Sequence, residues 1–205
     1  MKPHEIEQYS FAIINEEAGN HGFAPAEWKI VRRMIHTTAD FEYIGMTCVH
    51  PQAIEAGVTA IQKGCAIVTD TNMARAGIRK DSLEPFGCQV LCFMADPKVG
   101  KEAMERGVTR AYVAVEKAAP LIRDGIYVVG NAPTALLHLL DLIREGAAQP
   151  ALVVGLPVGF VNAVESKDAL MQTDIPYISN QGRKGGSNIA ASVINALALI
   201  ARERI

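Results

Sequence analysis

Apolar residues along this chain follow two rhythms. Near the start they recur every three or four positions; from Ala66 onward, short apolar runs alternate with further stretches of helical period. Glu5 to Glu17 reads as an amphipathic helix with Ile6, Tyr9, Ile13 and Ile14 facing inward. A second helix opens at Pro25, which suits a first helical position because the missing N–H has no partner there anyway. Its stripe is Trp28, Val31 and Ile35, and it ends at His36. A third follows Pro51, with Ile54, Val58 and Ile61 on one side and Gly64 as a stop signal.

The β-rich runs are Ala66–Thr69, Gln89–Phe93, Ile126–Val129, Ala151–Val154 and the weaker Tyr177–Ser179. Helical periodicity covers Lys101–Ala119, Thr134–Glu145, Phe160–Met171 and Ser187–Arg204. Strands apolar on both faces, separated by helices, predict an α/β fold with a five-stranded, mainly parallel sheet covered on both sides. The N-terminal helices add to that unit. No linker, repeat or low-complexity block interrupts it, so residues 1–205 are expected to form one domain.

A chain of 205 residues, 49% of them hydrophobic, has material for a substantial core. The net charge of -2 gives no bulk electrostatic reason to expect a nucleic-acid partner. Met1-Lys2-Pro3-His4-Glu5 has no apolar run behind it of the kind a signal peptide needs, and Ala190–Ala201 is too short for a bilayer and carries Ser192 and Asn195. The expectation is a soluble, cytoplasmic protein without a membrane partner. Cys48, Cys65, Cys88 and Cys92 lack the spacing of a structural zinc site, and buried free thiols are expected.

Candidate chemistry gathers in two places. In Arg32-Arg33-Met34-Ile35-His36 an imidazole stands near two guanidiniums, off the apolar stripe. Histidine exchanges protons near neutrality, and arginine grips carboxylates through paired hydrogen bonds. A histidine in a last helical turn is also favourable through the helix dipole alone. The second place is the row of loops after the strands: Asp70-Thr71-Asn72-Met73, Gly130-Asn131-Ala132-Pro133-Thr134, Gly155-Leu156-Pro157-Val158-Gly159-Phe160, and Asn180-Gln181-Gly182-Arg183-Lys184-Gly185-Gly186-Ser187. Ligands of open parallel sheets bind at that edge, where glycines permit close approach and helix starts favour anions. A molecule bearing several acidic groups fits such a rim. Asp70, Asn72, Met73, Asn131, Thr134, Gly159, Arg183, Lys184, Gly185, Gly186 and Ser187 are therefore candidate binding residues. Phosphate-loop, dinucleotide and serine-hydrolase motifs are absent.

The same segments resemble the precorrin-8X methylmutase family of cobalamin biosynthesis over nearly the whole chain. The matching pieces are Ile6-Glu7-Gln8-Tyr9-Ser10-Phe11, Arg33-Met34-Ile35-His36, Asp70-Thr71-Asn72-Met73 and Gly130 to Leu136, then Gly155 to Val161, Glu165-Ser166-Lys167-Asp168-Ala169-Leu170 and Gly182 to Ser187. The resemblance implies an isomerase that moves a methyl group from carbon 11 to carbon 12 of a tetrapyrrole. It implies that His36 is the proton donor or acceptor, that Ser10 and Arg33 contact substrate, and that Arg110 is an active-site arginine. A three-layer flavodoxin-like fold and a homodimer with the site near the subunit boundary are also implied. No cofactor is expected, because any cobalt belongs to the substrate. Met34, Met46, Met73 and Phe160 are candidates for covering the macrocycle. Cobalt-containing and metal-free substrates both remain open, although the continuation Thr37 to Glu42 is more similar to the cobalt branch. Two rivals are a non-catalytic corrinoid carrier and an unrelated flavin protein on a similar scaffold.

Overall fold

The computed structural model describes residues 3–204. Six strands, β1 (Thr47–Val49), β2 (Ala66–Thr69), β3 (Gln89–Leu91), β4 (Ile126–Val129), β5 (Leu152–Gly155) and β6 (Tyr177–Asn180), form one sheet in the order β1-β6-β5-β4-β2-β3. Strands β2 to β6 are parallel, whereas β1 runs antiparallel to β6, with Thr47 opposite Asn180. The expected five-stranded flavodoxin-like sheet is thus corrected to a six-stranded mixed one. Thr47-Cys48-Val49 is short and half-buried throughout, so it carries no periodic signal of its own. The open edge of β6 recruits it through backbone hydrogen bonds.

Eleven α-helices are described: α1 (Pro3–Ala18), α2 (Pro25–Thr38), α3 (Tyr43–Met46), α4 (Ala53–Gln62), α5 (Asn72–Gly77), α6 (Lys80–Leu83), α7 (Pro97–Arg106), α8 (Arg110–Ala118), α9 (Pro133–Arg144), α10 (Ala163–Met171) and α11 (Ser187–Glu203). Alternation along the strands sorts them into two layers. Ile67, Ile126, Val128, Leu152 and Val154 face α2, α4 and α11, while Val68, Tyr127, Val129 and Val153 face α8, α9 and α10. Helix α11 is apolar nearly all round because it is wedged between the sheet and α2, α4 and α5.

Three helical expectations change. The helix expected over Lys101–Ala119 is two: Gly107, at φ +65°, closes α7, and Thr109 starts α8 by accepting the Tyr112 N–H. Helix α10 starts at Ala163, so Phe160 and Val161 belong to a loop and are exposed. In α1 the inward residues are Phe11 and Ile14, seated with the core around α2, whereas Ile6, Tyr9 and Ile13 are 52%, 63% and 39% exposed. Of the four residues expected to face inward, Ile14 does so, while Ile6, Tyr9 and Ile13 form a second, outer apolar stripe. The four cysteines are free and half-buried rather than fully buried. Among the described residues no helix is long and apolar enough to cross a membrane.

Helices α2 and α11 are antiparallel neighbours, pinned at both ends. Lys29 pairs with Glu203 at one end, and Asp40, just past α2, pairs with Lys184, just before α11, at the other. Because α11 starts where β6 ends, this arrangement brings the His36 end of α2 to the carboxyl edge of the sheet.

Candidate active site

The rim is organised from below by Asp70. Its side chain is buried, and both oxygens are taken: Oδ1 accepts the Gly130 N–H (2.9 Å), and Oδ2 accepts those of Asn131 and Ala132 (both 2.7 Å). Burial pushes its carboxyl group above the usual range, while those three donors pull it back. Asp70 therefore shapes the β4–α9 loop from beneath and does not face a ligand, a correction to its expected binding role. The Asn131 and Ala132 amides are also turned inward, so this loop is a poorer anion site than a bare helix start. Asn72, Met73, Asn131 and Thr134 are exposed on the same stretch of rim. Gly130 is required sterically, because a Cβ there would lie 2.6 Å from the Ser187 Cα. Ser187 itself is mostly buried, its hydroxyl 2.7 Å from that of Thr71.

The β5–α10 and β6–α11 loops are knitted together. Gly159 N–H donates to the Arg183 carbonyl (3.2 Å) and Gly186 N–H to that of Leu156 (2.9 Å). A Cβ on Gly185 would sit 2.3 Å from the Leu156 oxygen, so only glycine fits. Arg183 reaches outward with its guanidinium 5.3 Å from the Phe160 ring centre. Lys184 turns the other way, its ammonium engaged by Asp40 and by Glu42 (2.9 Å). That pairing makes it a tie between the rim and the α2–α3 connection.

Lys167 is wholly buried, with Nζ 2.8 Å from the Lys184 carbonyl and 3.4 Å from Asn180 Oδ1. Asn180 Nδ2 donates to the same Lys184 carbonyl at 2.9 Å. Burial draws the Lys167 ammonium down to about 8. Its role was missed in the sequence, where it reads as one charge in a helix. The signal was positional: Lys167 stands four residues after Ala163 and three before Leu170, both buried.

His36 occupies the last turn of α2 and is exposed. Ala39, in the left-handed region, closes the helix by donating to the Ile35 carbonyl. The imidazole meets Phe11 edge-on at 5.2 Å and opens onto a cavity of about 390 Å³ lined by Ser10, Ile13, Ile14, Ile35, His36 and Phe41 among others. The Ser10 hydroxyl donates to the Ile6 carbonyl at 2.9 Å, leaving its oxygen able to accept. Arg33 lies across Phe11 from this cavity. Its guanidinium is 4.9 Å from the Phe11 ring centre, binds Glu7 Oε1 at 2.6 Å, and lines a separate space of about 170 Å³ with Arg32 and Lys29. Adjacency on the helix thus does not place Arg33 and His36 in one cavity of this chain. Met34 is fully buried and cannot cover a ligand; Met46 is half-buried; Met73 and Phe160 are exposed. Arg110 is exposed at the start of α8, in the layer on the opposite face of the sheet from α2.

An exposed imidazole at a helix end, beside a strand-end rim with one outward arginine and exposed apolar side chains, marks an α/β protein with its candidate site at the carboxyl edge of the sheet. The chain belongs to the precorrin-8X methylmutase family, whose model (CbiC) matches residues 5–200. It is 48% identical over 207 residues to the cobalt-precorrin-8 methylmutase of Leptospira interrogans, covering 97% of this chain and 94% of that one. It is 44% identical to the protein of the same name from Priestia megaterium (98% and 89% covered) and 36% identical to the precorrin-8X methylmutase of a Sinorhizobium species (94% and 92%). A crystal structure of precorrin-8X methylmutase from Thermus thermophilus superposes with a TM-score of 0.92 at 47% identity, covering 98% of this chain and 97% of that one. Family membership leaves the flavin-protein alternative without support.

The Asp40–Lys184 tie should respond to pH. Lys184 holds the Asp40 carboxyl below its ordinary value, so the pair stabilises the folded chain above the usual carboxylate pKa of about 3.9, and that contribution is lost as pH falls through the lower folded value. Asp40→Asn should therefore lower the thermal midpoint at pH 7 and lose its effect in strong acid. Melting curves from pH 2 to pH 8 check this; a deficit independent of pH would contradict it.

Proposed function

We propose that the protein is an isomerase of cobalamin biosynthesis that moves a methyl group from carbon 11 to carbon 12 of a precorrin-8 macrocycle, and that cobalt-precorrin-8 is its substrate. The observation that carries this reading is His36, exposed in a cavity at the end of α2 that the Asp40–Lys184 pair holds against the sheet's ligand-binding edge. The names of the relatives support it. Those named for the cobalt substrate include the Leptospira and Priestia proteins, and the continuation Thr37 to Glu42 resembles that branch.

The migration breaks the methyl bond to one ring carbon as the bond to its neighbour forms. It consumes no water and no redox equivalent. What it needs is a polarised ring system, and His36 supplies a proton or a hydrogen bond to the macrocycle near the migrating group. General acid catalysis of this kind contributes about a hundred- to ten-thousand-fold. Arg183 and the glycine loop before α11 meet peripheral carboxylates, while Phe160 and Met73 cover apolar ring surface. Asn72, Asn131 and Thr134 supply polar contacts along the rim. Cobalt, where present, travels with the substrate, and no resident cofactor is invoked.

The enzyme acts in the cytoplasm as a homodimer. Support for the dimer comes from α1, which exposes Ile6, Tyr9 and Ile13 in a row beside Ser10 of the His36 cavity. A second subunit covering that row would close the cavity and bring its own side chains near. It would also give Arg33, across Phe11 from the His36 cavity, and Arg110, in the layer on the other face of the sheet, a route to the substrate.

His36→Ala should reduce turnover of cobalt-precorrin-8 by about a hundred-fold or more, followed as the absorbance change when conjugation in the macrocycle alters. Turnover at the wild-type rate would contradict the assignment. Tyr9→Glu, which places a charge in the α1 row, should convert a dimer into a monomer in sedimentation velocity. A wild-type protein that sediments as a monomer at tens of micromolar would remove the dimer from the account.

A further inference from the structure

Among the described residues Lys167 is the one fully buried lysine, and no carboxylate lies within ion-pair distance of it. An ammonium with no carboxylate in direct contact is unfavourable in such a place unless its protons are well used, although the charge of neighbouring Asp168 favours it. Two of them go to the Lys184 carbonyl and to Asn180 Oδ1, and Asn180 Nδ2 adds a second donor to that same carbonyl. Two buried side chains from different elements, α10 and β6, thus converge on one peptide oxygen of the rim.

The consequence follows from the planarity of the peptide. In a trans peptide the carbonyl and the N–H point in opposite directions. With the Lys184 oxygen drawn down into the protein, the N–H of the same peptide, that of Gly185, points up and out. The neighbouring amide cannot take this part, since the Gly186 N–H turns back to the Leu156 carbonyl. The conformation is held sterically as well, because Gly185 lies against the Leu156 and Pro157 oxygens. Arg183 stands two residues away with its charge outward.

We infer that Lys167 is a positioning residue: by fixing the Lys184–Gly185 peptide it aims the Gly185 N–H at a peripheral carboxylate of the macrocycle, beside Arg183. It touches no ligand itself. The inference rests on the functional reading above, and it assigns a task to the Glu165-Ser166-Lys167-Asp168 segment, which that reading leaves without one. Asp70 provides the converse on the adjacent loop, where a buried carboxylate gathers three backbone N–H groups.

Lys167→Met keeps the length and volume of the side chain and removes its donors. Asn180→Ala removes the second donor and is the back-up should the first variant fail to fold. Two readouts are taken on the intact protein. Hydrogen–deuterium exchange without ligand should rise at least several-fold across residues 181–186 in either variant and stay as in wild type in α9. Absorbance titration with cobyrinic acid should show Kd about tenfold higher for Lys167→Met, in line with loss of one well-aimed hydrogen bond, and a smaller rise for Asn180→Ala. With cobalt-precorrin-8 the loss should fall mainly on KM rather than kcat, a split that general destabilisation would not give. Unchanged exchange in the loop, or unchanged Kd in a folded variant, overturns the inference. Failure of the wild-type protein to bind cobyrinic acid would instead count against the functional reading, and the exchange measurement would still decide the role of Lys167 in the loop.

Discussion

Beneath the carboxyl edge of the sheet lie two buried charges of opposite sign, and the shape of the rim depends on them. Asp70 gathers the N–H groups of Gly130, Asn131 and Ala132; Lys167 holds the carbonyl of Lys184. Each orients a loop that has no regular secondary structure to orient it. A charged partner strengthens such hydrogen bonds and makes their loss expensive, so the two loops are fixed more firmly than turn propensities alone would fix them. The glycines between them follow from this constraint. Gly130 and Gly185 are places where backbones drawn inward come within van der Waals contact of another chain segment.

A second constraint delivers the imidazole. Helix α2 is locked antiparallel to α11 by Val31, Met34 and Ile35 in the common core, and by ion pairs at each end. The upper pair joins α2 directly to the loop that Lys167 orients from below. Asp40, four residues after His36, and Lys184 thus join the end of α2 to the loop before α11 by one direct ion pair. Relative positions within a reaction site matter to a fraction of an ångström, and a rigid connection of this kind provides that precision better than two independent loops would.

Much of this was legible in the sequence, and the limits have physical reasons. Strands β2, β4, β5 and β6 announced themselves because burial on both faces demands unbroken apolar runs, and the edge strand β3 through its β-rich composition. Strand β1 did not, since its three half-buried residues are held by an edge rather than by their own pattern. The strand-end loops were recognisable as a rim, but not the division of labour within it. Asp70 and Lys184 look like ligand-facing charges in one dimension, and only the fold shows that each already has partners. Lys167 was hidden for the opposite reason, being one charge in an amphipathic helix whose polar face had not been located. Helix α1 offered two apolar stripes with nothing local to choose between them. Arg33 and His36 are neighbours on a helix, yet Phe11, from another helix, separates their spaces.

The central claim is that one flat polyacidic macrocycle spans the His36 cavity and the rim held by Asp70 and Lys167. A crystal structure of the protein with cobyrinic acid bound tests it most directly. The expected result is a corrin ring within hydrogen-bonding reach of the His36 imidazole, with a side-chain carboxylate on the Gly185 N–H and Arg183. A corrin seated elsewhere, such as between α7 and α8, with His36 and the loop before α11 free of it, would contradict the claim.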